Sequence, residues 1–88
     1  MDSEILRLRP GATSWAEAGD ETVLLDLQRA SYVGVNRSGS LLWSMLEAGA
    51  TRERLRQELE VRFDIDPGRA AQDVDAFLAM CRERNFLA

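Results

Sequence analysis

The side chains whose type and spacing best suit chemistry are Cys81 and two acid pairs, Asp64/Asp66 and Asp73/Asp75. A cysteine nucleophile needs a base or a positive neighbourhood to make the thiolate. This chain contains no histidine at all, which removes the commonest general base and the commonest metal ligand. Cys81 falls in mid-helix on an apolar stripe, where a thiol behaves as a small hydrophobe. Two carboxylates can share a reaction or a metal only if they point the same way. Residues two apart on a helix do not, which separates Asp73 from Asp75. Asp64 and Asp66 flank a helix start, where capping accounts for an acid. No glycine-rich phosphate loop is present. No catalytic residue, no metal site and no cofactor is expected.

The elements that carry these residues divide at Asn36-Arg37-Ser38-Gly39. Before it the apolar pattern has the period of strands, and after it that of helices. Ile5 to Arg9 reads as a short edge strand stopped by Pro10-Gly11. Thr13 to Ala18 and Glu21 to Leu27 form a hairpin across Gly19-Asp20, since glycine supplies the positive φ of a tight turn. In the second of these strands Val23, Leu25 and Leu27 share one face, and Thr22, Leu24 and Asp26 the other. Gln28-Arg29 turns the chain into a third strand, Ala30 to Val35, completing an antiparallel meander.

Asn36 or Ser38 can cap the first helix, which carries Leu42, Trp43, Met45 and Leu46 and stops at Gly49. Thr51 caps a second helix with Leu55, Leu59 and Phe63 on one narrow stripe. The rest of its surface is laced with i,i+4 pairs such as Arg54/Glu58 and Arg56/Glu60, a solvated face rather than a nucleic-acid patch. Asp66 at the N-cap and Pro67 at N1 open the third helix, with Ile65 and Ala70 placed as a small hydrophobic staple. Its apolar face is Ala70, Val74, Phe77, Leu78 and Cys81, widened by Ala76 and Met80. Asn85 ends it in the left-handed conformation and returns Phe86-Leu87 to the core.

Eighty-eight residues, 45% hydrophobic and 30% charged, make one globular domain spanning 1–88. No apolar run is long enough to span a bilayer, and the acidic N-terminus is unlike a signal peptide. A single cysteine is consistent with a cytoplasmic protein. Fifteen acids face eleven bases, all of them arginine. A net charge of −4 without a basic block argues against binding a phosphate backbone. What remains is an interaction surface. The third strand lies at a sheet edge with no Lys, Pro or inward charge to block pairing, so a partner can add a strand there.

Tyr32-Val33-Gly34-Val35-Asn36-Arg37-Ser38-Gly39 followed by Leu42-Trp43 resembles the Tyr-x-x-Leu-Asn-x-x-Gly…Ile-Trp core of the PqqD-like family. Thr51, Leu55, Leu59, Val74, Phe77, Leu78 and the Phe86-Leu87 ending fit the rest of that pattern, over about residues 12 to 88. The departures are Val35 for leucine, Cys81 for a larger aliphatic, and Asn85 for glycine. The resemblance implies an α+β, winged helix-turn-helix-like fold, a three-stranded antiparallel sheet followed by three helices. It also implies a monomer that recognises the leader of a ribosomally made precursor peptide, taken as an extra strand in a groove. That groove would involve Ser31, Tyr32, Val33, Gly34 and Val35 on the third strand. On the third helix it would involve Asp73, Val74, Ala76, Phe77 and Met80, with Arg84 or Asp73 at the rim.

Pro10-Gly11-Ala12, Trp15 and Asp66-Pro67-x-x-Ala70-Ala71-x-Asp73-Val74 look more like the lasso-peptide group of the family. There the partner is a separate leader peptidase, a transglutaminase-like cysteine protease. The alternatives are a peptide chaperone for a radical SAM enzyme and a winged-helix DNA-binding domain. Net −4 and the acids Asp73, Asp75 and Glu83 on the third helix oppose the last. No nucleic acid or membrane partner is expected.

Overall fold

The computed structural model describes residues 4–88. Its elements run β1 (Ile5–Leu6), β2 (Thr13–Ala18), β3 (Glu21–Asp26), β4 (Ser31–Val35), α1 (Arg37–Ala48), β5 (Ala50–Thr51), α2 (Arg52–Phe63) and α3 (Pro67–Glu83). The expected architecture is present: an antiparallel sheet in the order β2-β3-β4, followed by three helices. Gly19 takes φ 66° in the two-residue turn that pairs Ala18 with Glu21. No helix among the described residues is long and apolar enough to cross a membrane.

The helices cover one face of the sheet. That face presents Thr22, Leu24 and Asp26 from β3, all buried, whereas Val23 and Leu25 are only half-buried on the other side. Alternation alone leaves the choice of face open, and the more polar one has turned inward. It does so because both polar groups find partners. The Thr22 hydroxyl bonds the Ser40 hydroxyl at 2.9 Å, and Asp26 is held by two arginines and two backbone N–H groups.

Asp26 also corrects the strand limits. Its Oδ1 accepts from the N–H of Gln28 and of Arg29, both at 3.1 Å, which folds residues 27–30 into a turn. Strand β3 therefore stops at Asp26 instead of Leu27. Strand β4 begins at Ser31 instead of Ala30, whose φ is 51°.

The N-terminal segment differs more. Residues Ile5 and Leu6 pair with Thr51 and Ala50 of β5, apart from the meander. Leu8 then bridges Leu87, the Arg9 N–H donates to the Phe86 carbonyl, and the Ala88 N–H donates to the Arg7 carbonyl. The expected edge strand is thus part of a small second sheet that gathers the α1–α2 junction and the chain's end. Gly49 sits at that junction with φ 90°, and an added Cβ would lie 2.6 Å from the Arg7 guanidinium. The positive φ demands glycine, whereas the Arg7 side chain could swing aside.

Helix caps follow the sequence closely. Asn36 caps α1 by accepting from the Gly39 N–H, Thr51 caps α2 from Arg54, and Asp66 caps α3 from Arg69. At the far end of α3, Asn85 has φ 64°. Its N–H donates to the Arg82 carbonyl while the Phe86 N–H donates to Cys81, both bonds of a Schellman motif. That turn delivers Phe86, 1% exposed, edge-on to Trp43 at 5.7 Å; Trp15 meets Trp43 in the same way. Around this aromatic row lie Leu42, Leu46, Leu55, Leu59, Val74 and Leu78, all essentially unexposed.

Candidate functional site

Among the described residues, strand β4 pairs with β3 alone, so its other edge is open. The ladder fixes which backbone groups face outward. In the β2–β3 hairpin the turn-closing pair Ala18/Glu21 is hydrogen-bonded, and in an antiparallel ladder such pairs alternate with non-bonded ones. The Leu27 N–H donating to the Ala12 carbonyl confirms the phase. Residues 21, 23 and 25 of β3 are therefore committed to β2, and residues 22, 24 and 26 to β4. These three lie opposite Val35, Val33 and Ser31. The N–H and C=O groups of Tyr32 and Gly34 are left pointing away from the sheet.

The side chains of β4 alternate about this edge. Ser31 and Val33 are half-buried and Val35 is 9% exposed, all on the helix-covered face. Tyr32, 75% exposed, and Gly34 lie on the uncovered face. Beside the edge stands α3, separated by a groove. At the Val35 end it deepens into a cleft of about 350 Å³. The floor of the cleft is Gly39, Leu42, Ala76 and Phe77; its rim is Asn36, Ser38, Arg69 and Asp73. Asp73 Oδ1 lies 3.4 Å from Arg69 Nε, an exposed pair on the rim. Glycine at 39 keeps the wall open: a Cβ there would approach the Val35 Cβ to 3.0 Å and the Phe77 ring to 3.4 Å.

The opposite end of the groove is shut by charge. Arg84 Nη1 donates to Asp26 Oδ2 at 3.2 Å and to Ser31 Oγ at 3.3 Å. Arg29 donates to the same carboxylate and to the last carbonyls of α3, those of Glu83 and Arg84. Asp26 is fully buried. Burial pushes its carboxyl up, but the Arg29 N–H and the Arg29 and Arg84 guanidinium groups outweigh that and hold it below its ordinary value. This clasp ties the end of α3 to the start of β4.

Of the expected contacts, Asp73, Ala76 and Phe77 line the cleft. Ser31, Val33 and Val35 turn their side chains to the helix-covered face, and Tyr32 and Gly34 offer the open backbone edge with their side-chain positions on the other face. The structure gives other roles to two expected contacts. Val74 is 0% exposed and packs inside the core, so it supports the wall and offers no surface to a ligand. Arg84 is held by Asp26 and Ser31 and closes the groove instead of standing free at its rim. Sequence reasoning missed the contribution of α1 to the cleft, through Asn36, Ser38, Gly39 and Leu42. It also missed Asp26; an acid on the same strand face as Leu24 was the available signal. Asp75 turns away to α2, bonding Arg52 at 2.7 and 2.9 Å. Cys81 is buried, and burial pushes its thiol up to about 12. Among the described residues no three His, Cys, Asp or Glu side chains gather to hold a metal ion.

No curated protein matched the chain. Solved structures do resemble it. One, described as TbiB1 in complex with the TbiA(beta) leader peptide, is 30% identical with a TM-score of 0.81, over 92% of this chain and 93% of that one. A lasso peptide synthetase B1 complexed with the leader peptide is 25% identical with a TM-score of 0.79, over 94% and 96%. The solution structure of the PqqD truncation of Methylobacterium extorquens PqqCD, a stand-alone recognition element, shares the fold. Its TM-score is 0.75 at 19% identity, over 100% of this chain and 93% of that one. Residues 21–87, from the start of β3 to the residue that pairs with Leu8, match the family of Coenzyme PQQ synthesis protein D. The chain belongs to the PqqD family.

Proposed function

We propose that this chain recognises the leader of a ribosomally made precursor peptide by taking it as a fourth strand on β4, over the groove beside α3. The observation that carries this is the open edge at Tyr32 and Gly34, directly alongside a cleft with an apolar floor. Backbone bonds to an edge supply affinity without regard to sequence, and the cleft selects side chains. Two relatives of matching length are described as complexes with leader peptides, which supports the reading. The recognised leader is then presented, in the cytoplasm, to a separate leader peptidase, the chain itself acting as a monomer and not as an enzyme. The residue types agree: no histidine, and a lone thiol that is buried and protonated. Arginines 29, 37, 52, 54, 56, 62, 69 and 84 all sit in ion pairs, which leaves little free cation for a phosphate backbone.

The test is a titration of isotope-labelled protein with the TbiA(beta) leader peptide and, separately, with duplex DNA. Amide shifts concentrated in residues 30–36 and 73–84, persisting at raised salt, are expected. Shifts confined to residues 52–62, or binding to DNA with a steep salt dependence, would defeat the proposal. Cys81→Ser should leave precursor processing by the partner peptidase intact.

A further inference from the structure

The three-stranded sheet has a second face, turned away from the helices, which bears on what the leader must be. Across it run two rows: Ser14, Leu25 and Tyr32, and beside them Ala16, Val23 and Gly34. None of these six side chains is charged. Glycine within a strand ordinarily has one of three reasons: a positive φ, a close approach of packed atoms, or the approach of another chain. Gly34 is not among the residues of positive φ. Nothing lies within 4 Å of the place its Cβ would occupy. The third reason remains.

We infer that the leader is read on both faces of the sheet, and that its residue opposite Gly34 carries a large apolar or aromatic side chain. That side chain lies over the bare Gly34 backbone against Val23, with Tyr32 as its flanking wall. The inference rests on the proposed strand addition at β4. A strand added there sends alternate side chains to opposite faces. Those opposite Val33 and Val35 enter the groove beside α3; those opposite Tyr32 and Gly34 emerge on the uncovered face, because directly opposed residues share a face. A ring laid across a strand glycine covers backbone that is otherwise wet and gains contact with the neighbouring β-branched residue. Tyr32, 75% exposed, and half-buried Val23 supply that contact.

The experiment is a peptide-display selection, from a randomised library seeded with the TbiA(beta) leader peptide, on the native protein and on Gly34→Val. The substitution should fold, since a Cβ at Gly34 meets open space and valine favours strands. An unchanged amide spectrum outside β4 checks this, and Gly34→Ala serves as the milder variant. On the native protein, one position of the selected peptides should be rich in large apolar residues. On Gly34→Val that position should change to glycine, alanine or serine. A native-selected peptide should bind Gly34→Val about tenfold more weakly through overpacking, and its alanine variant at that position should restore the affinity. Equal preferences on both proteins, or a loss on Gly34→Val that no peptide substitution repairs, would overturn the inference while leaving strand addition in place. If no peptide shifts the Tyr32 and Gly34 amides, strand addition itself fails, and the two-face reading with it.

Discussion

Strands β2 and β4 flank the same central strand, and each leaves one row of backbone groups unpaired within the sheet. They are nevertheless different kinds of edge. On β2 the outward groups belong to Thr13, Trp15 and Glu17, whose side chains lie on the helix-facing side. Residues 8 to 11 run close by Trp15 and Thr13, lining a pocket with them, and the charge of Glu17 follows. Glu17 is exposed, and a charged side chain on an edge strand is a common device for keeping strands apart. On β4 the outward groups belong to an exposed tyrosine and a glycine, no charge stands on the strand, and a cleft with an apolar floor and a polar rim lies at its end. One sheet thus carries a guarded edge and an available one, and the difference resides in about three side chains.

The contrast between the edges collapses most completely if β4 loses its anchor. Asp26→Ala leaves Arg29, Arg84 and two turn N–H groups without their shared acceptor, so it should lower the denaturation midpoint steeply and abolish leader binding. A midpoint close to that of the native protein would show that the clasp is dispensable. The acid limb gives a second reading. The folded-state pKa of Asp26 is depressed, so its contribution is complete above the ordinary value of 3.8 and is lost as pH falls through the lower folded value. Asp26→Asn should flatten that part of the pH–stability curve.

A pair of prolines sharpens the contrast. Both Gly34 and Glu17 direct their N–H away from β3, so proline at either removes no ladder bond. Gly34→Pro should weaken leader binding more than about tenfold by deleting one edge bond and disturbing the next. Glu17→Pro should leave it unchanged. Equal effects from the two, by calorimetry, would mean the leader does not use β4.

Smaller effects come next. Asp66→Ala removes the cap of the helix that walls the groove and should cost about 1 kcal/mol of stability, with little change in leader affinity. An unaltered denaturation midpoint would place the cap elsewhere. Smallest is Glu17→Val, which strips the guard from β2. Weak, concentration-dependent association should appear in sedimentation without a change in leader affinity.

Much of this was legible in sequence because the signals were local. A cap is a residue and its neighbour three places on, so Asp66-Pro67, Thr51 and Asn85 could be read directly. The meander, its hairpin glycine and the third strand followed from period and turn chemistry. The groove was legible only from one side. Val74 and Phe77 share a helical stripe with Ala70 and Leu78, and no spacing rule says where that stripe leaves the core and becomes a wall. Arg84 looked like a free rim cation because its partner, Asp26, lies 58 residues away. For the same reason Ile5 to Arg9 could be recognised as extended while its partners in β5 and at Leu87 could not.

That last pairing has a consequence for how the molecule comes together. Arg7 to Arg9 meet Phe86 to Ala88 only after nearly the whole chain lies between them as a closed loop. The entropy of that closure is repaid only once the hairpin and the helices already stand. The seam of the two ends should therefore form last on refolding and open first on unfolding. Its amides, those of Arg9 and Ala88, should exchange with solvent well before those of Leu24 or Leu59. The cleft end of the groove, at Asn36, Gly39, Asp73 and Phe77, involves none of the seam's residues. The clasp end at Arg84 adjoins the seam through Asn85 and Arg9, so fraying of the ends should loosen the clasp before it reaches the cleft.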